Sequence, residues 1–71
     1  MPKWKLYNVA KQYIEVIEQM EHTSDSQLLA DLEEERARLH TRLLGILKRE
    51  GIPFKDREHV TRIALRIARG D

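Results

Sequence analysis

The most chemically loaded part of this chain is its C-terminal end. Arg62, Arg66 and Arg69 recur at i, i+4 and i+7, and no acidic residue occurs between His59 and Gly70. His59 and Lys55 extend the row. On a helix these spacings put the guanidinium groups on one face. Such a face can sit on phosphates, releasing counterions at each contact. Asn and Gln, the side chains that read adenine, are missing from the row. A solvated arginine face, or pairing with Glu33–Glu35, accounts for the same residues.

A second basic group lies at the other end. Trp4 and Tyr7 stand among Lys3, Lys5 and Lys11, and Trp4, Tyr7 and Lys11 share one side of a helix. Aromatics among lysines can stack on bases. They can equally anchor a partner protein or cover the end of a third helix. With the arginine row, Lys3 and Lys5 make up a candidate nucleic-acid contact.

Arg36 and His40 sit on or beside a leucine stripe, with Glu33 one turn before Arg36. Polar groups at such positions cost stability unless paired. They can fix register in a helical assembly or line a small anion pocket.

Other chemistry has little to stand on. Glu18 and His22 fall at i, i+4, and Asp56 and His59 at i, i+3, but no segment supplies the paired pattern of helical carboxylate metal sites. No glycine-rich loop is available for nucleotide phosphates. His22, Ser24, Asp25 and Ser26 hold the ingredients of a hydrolytic triad, yet they crowd into one exposed turn. No catalytic residue, metal or cofactor is assigned, and the chain is not expected to be an enzyme.

These residues must be carried by helices. Three glycines and two prolines occur, read as punctuation at the edges of periodic segments. Leu6, Ala10, Tyr13, Ile17 and Met20 recur every three or four residues, which predicts a helix over 2–21. Val9, Val16, Ile14 and Tyr7 widen its stripe to about half the circumference. One neighbour cannot cover that face, so the helix is expected to touch at least two.

A second helix is expected over 25–50. Ser24 and Gln27 read as its capping box, and Leu29, Leu32, Leu39, Leu43, Ile46 and Leu47 as its apolar side. Gly51 fits a left-handed C-cap, with Ile52 closing a Schellman motif onto Leu47, and Pro53 forbids continuation. Asp56 reads as the N-cap of a third helix over 57–69. Val60, Ile63, Ala64, Ile67 and Ala68 form its buried face, and Gly70 ends it.

Charge is sorted along the first two helices. Lys3, Lys5 and Lys11 come early in the first; Glu15, Glu18 and Glu21 come late. In the second, Asp25, Asp31 and Glu33–Glu35 precede Arg42, Lys48 and Arg49. An antiparallel hairpin therefore puts acid beside acid at the turn and base beside base at the open end, which costs stability. Two hairpins packed head to tail would relieve it.

Composition closes the outline. The chain has 71 residues, 13 Lys+Arg against 12 Asp+Glu, and a net charge of +1. No global field marks it for nucleic acid. The absence of cysteine excludes a disulfide framework and thiolate metal sites. No apolar run is long enough to span a bilayer, and the start lacks the apolar stretch of a secretion signal; a cytoplasmic protein is the expectation.

The sequence thus predicts an all-α domain over 1–71, a long hairpin plus a shorter third helix, packed as a homodimer that binds another protein. Trp4, Tyr7, Tyr13, Ile14, Leu29, Leu32, Arg36, His40 and Leu43 are the expected interface. Nucleic-acid binding through Lys3, Lys5, Arg62, Arg66 and Arg69 is the alternative.

Overall fold

A computed structural model describes residues 2–70, with side chains from Lys5 to Gly70. Three helices follow one another: α1 Pro2–Glu21, α2 Ser26–Glu50 and α3 Arg57–Arg69. No strand occurs among the described residues. At 1.5 Å per residue α2 is about 37 Å long, which sets the longest dimension of the molecule, 37 Å.

Each boundary has a local cause. Thr23 Oγ1 donates to the Gln19 carbonyl at 2.6 Å, satisfying one acceptor that the end of α1 leaves open. The cap of α2 is Asp25, one residue later than the capping box at Ser24 would place it. Its Oδ1 accepts from the amides of Gln27 at 2.9 Å and Leu28 at 3.2 Å. A carboxylate is the stronger acceptor and also complements the positive end of the helix, so it displaces the serine.

Gly51 ends α2 in the left-handed region at φ 74°. Its amide donates to the Lys48 carbonyl at 3.2 Å and that of Ile52 to Leu47 at 2.9 Å. Those two bonds are the Schellman pattern expected from the sequence. Gly45, in contrast, is not at an edge. It lies inside α2, exposed, where a Cβ would meet nothing within 4 Å.

The link from α2 to α3 is extended. Ile52 and Phe54 are half-buried and pack against the core, while Gly51, Pro53 and Lys55 are exposed. That alternation is the period of two of an extended segment. Asp56 then caps α3: its Oδ1 accepts from the His59 amide at 2.8 Å.

The core is assembled around α1. Leu6, Val9, Ala10, Tyr13 and Val16 meet Leu32, Leu39, Leu43 and Leu47 of α2, and Val60 and Ala64 of α3. Both α2 and α3 pack extensively on α1, and much less on each other. This answers the breadth of the α1 stripe: two neighbours cover it, both from the same chain. The uncovered apolar surface is accordingly smaller than the sequence suggests. Among the described residues the exposed large hydrophobics are Tyr7 at 39% and Leu28 at 48%. No helix is long and apolar enough to cross a membrane.

Candidate functional site

Three residues expected at an interface serve the interior instead. Tyr13, Leu32 and Leu43 are buried within the single chain. Each lies on the inner line of its helix, where α1 meets α2 and α3, so each is consumed by the intramolecular core. Ile14 is half-buried against that core. Tyr7 is exposed, with Lys11 Nζ 5.9 Å from its ring centroid, a contact worth about 0.5–1 kcal/mol at such a site. Lys3 and Trp4 lie outside the residues whose side chains are described.

Two clefts lie along one seam of the hairpin. The first is lined by Lys5 and Val9 of α1 with Arg42, Gly45, Ile46 and Arg49 of α2, about 290 Å³. The second is lined by Gln12, Glu15, Val16 and Gln19 of α1 with Glu35 and Leu39 of α2, about 190 Å³. Positions 5, 9, 12, 16 and 19 fall three or four apart, as do 35, 39, 42, 46 and 49. Each set is therefore one helix face, and the two clefts are consecutive stretches of one trough. Its base is the buried Val9, Val16 and Leu39. Its charged rim is all basic at the open end of the hairpin and all acidic nearer the turn. Exposed Leu28, seven residues before Glu35, continues the same face of α2.

A third groove opens between α2 and the start of α3, about 330 Å³. Tyr13, Ile17, Met20 and Glu21 of α1, Leu29 and Arg36 of α2, and Arg57 and Thr61 of α3 line it. Tyr13 Oη and Thr61 Oγ1 stand 3.4 Å apart there, a weak bond for two hydroxyls. The His40 ring is tilted against Tyr13 at 5.9 Å, and its Nε2 is buried without a partner.

The arginine row is solvent-facing. Arg62, Arg66 and Arg69 are exposed, on the side of α3 away from Val60 and Ala64. Arg62 pairs with Glu58 at 3.6 Å, the one ion pair among the described residues; none joins the row to Glu33–Glu35. The Asp56–His59 pair is spent on capping. While Asp56 accepts from the His59 amide, His59 Nδ1 accepts from the Lys55 amide at 3.0 Å. No cluster of three or more metal-ligating side chains occurs among the described residues.

Sequence reasoning anticipated like charge gathering at each end of the hairpin. It missed which side chains meet, and it missed Arg57, Thr61 and Met20 around the third groove. The three-and-four spacing of Lys5, Val9, Gln12, Val16 and Gln19 was the available signal for the seam. Comparison with protein-family models, curated proteins and solved structures finds no match.

Proposed function

We propose that this chain is a small protein-interaction module that works by binding rather than by catalysis, and that it does so as a homodimer. The observation that carries the reading is the sorting of charge along the α1–α2 seam: Lys5, Arg42 and Arg49 on one cleft, Glu15 and Glu35 on the next. Like charges held together across a hairpin lower its stability. A second copy related by a two-fold axis, lying antiparallel on the seam, sets each acidic cleft against a basic one. An isologous interface needs a patch complementary to itself, and this one has that property in charge. Leu28 supplies exposed apolar surface on the same face. Gly45, bare of side chain in the basic cleft, lets another backbone approach closely.

Sedimentation equilibrium across a salt series tests the reading. Dimer affinity should fall as ionic strength rises, because the contacts at the rim are screened. A chain that stays monomeric at high concentration, or a dimer that tightens with salt, would overturn it.

The exposed row of Arg62, Arg66 and Arg69, with Lys5, favours nucleic-acid binding as the second reading. A mobility-shift assay at two salt concentrations discriminates. Steeply salt-dependent binding, abolished when the three arginines become Glu, would support it, and a flat response would remove it.

A further inference from the structure

Arg36 is the one Lys, Arg, Asp or Glu among the described side chains that is half-buried rather than exposed. It takes part in no ion pair among the described residues, where the one such pair is Arg62–Glu58. Drawing a guanidinium partly out of water without an anion beside it costs free energy. Its surroundings say what would offset that cost. Arg36 shares the third groove with Arg57, so two guanidinium groups from different helices border one space. Glu21 is the only carboxylate among the described lining residues, whose net charge is +1. The rest of the lining is largely apolar, with Ile17, Met20 and Leu29.

We infer that this groove binds a small amphipathic monocarboxylate, with its apolar body on Ile17, Met20 and Leu29 and its carboxylate between Arg36 and Arg57. Charge complementarity sets the head group: a carboxylate accepts from a guanidinium fork in the planar geometry that arginine favours. The apolar lining sets the body. Volume bounds the size: the groove is open to solvent, its 330 Å³ lies at the lower end of the range for small-molecule sites, and at about 30 Å³ per water it has room for about ten water-sized groups. A straight ten-carbon acid is of that scale. The groove shares no lining residue with the charged seam, so this site stands or falls independently of the homodimer.

The probe is decanoate, titrated into the whole chain and followed by the NMR signals of the Met20 and Leu29 methyls and of the Arg36 and Arg57 Nε–H groups. Decanol is the neutral control. The expected result is saturable binding of one decanoate per chain, moving those signals together. Loss of a charge-assisted hydrogen bond predicts about tenfold weaker binding to decanol, and likewise in Arg36→Gln and Arg57→Gln. Arg57 is exposed, so its variant keeps the test valid should Arg36→Gln disturb folding. Three outcomes would overturn the inference: no saturation by decanoate on the order of 1 mM, equal affinity for decanol, or affinity unchanged in Arg57→Gln. Shifts confined to the seam around Val9 and Leu39 would overturn it as well.

Discussion

Glu15 of α1 and Glu35 of α2 line the same cleft, and no basic side chain joins them in it. Their juxtaposition follows from the antiparallel hairpin, which brings the acidic end of one helix beside that of the next. Within a single chain it is a cost; in the proposed two-fold dimer it would become half of a match.

Neutralising one of the pair should therefore act in opposite directions on folding and on association. Glu35→Gln is expected to raise the stability of the dilute monomer by about 0.2–0.5 kcal/mol at low salt, the scale of like-charge relief between neighbouring helical positions. The same change should weaken self-association. Chemical denaturation at low and high protein concentration reads both effects.

The exposed glycines within α2 and at its C-cap should respond with opposite sign. Gly45→Ala meets no obstacle and is expected to stabilise the monomer by about 1 kcal/mol through helix propensity. Gly51→Ala puts a Cβ at φ 74° and is expected to cost about 1–2 kcal/mol. For a domain of this length 1 kcal/mol corresponds to a shift in Tm of about 4–8 °C, so thermal melts at low concentration separate the two.

Capping gives a sharper contrast. Asp25→Ala removes the acceptor for two α2 amides and should lower stability by about 1 kcal/mol. Ser24→Ala should leave it within about 0.5 kcal/mol of the parent, as for a surface substitution with no special role. Equal losses in the two denaturation curves would return the cap to the serine.

Two leucines of α2 separate core from interface. Leu43, fully buried, should cost about 2–5 kcal/mol when truncated to Ala, at any protein concentration. Leu28, 48% exposed, should cost the isolated fold within about 0.5 kcal/mol and weaken the dimer. Concentration-dependent melts distinguish these patterns.

Local features were legible in the sequence because neighbouring residues decide them. The Schellman stop at Gly51 and Ile52, the Asp56 cap and the buried face of α3 needed no knowledge of the tertiary fold. The α2 cap was misread by one residue because Ser24 and Asp25 are both good caps, and the carboxylate won through its charge. The fate of Tyr13, Leu32 and Leu43 was not legible. It depends on tertiary packing, in which α1 takes α2 and α3 on its broad face and these three side chains fall into one core. Once α3 lies on α1, the broad apolar arc is covered from within. The place of Arg36 beside a leucine stripe was visible in the spacing. Its companion Arg57 was not, since only the return of the chain after α2 brings the two to one groove.

A charge-exchange mixture tests the central claim most directly. One variant carries Lys5→Glu, Arg42→Glu and Arg49→Glu, making its seam acidic throughout; the other carries Glu15→Lys and Glu35→Lys, making it basic. Sedimentation should find each variant monomeric alone at low salt and the equimolar mixture dimeric, with every heterodimer containing one copy of each. Homodimers of either variant as tight as the parent, or a mixture that stays monomeric while both variants remain folded, would contradict the account.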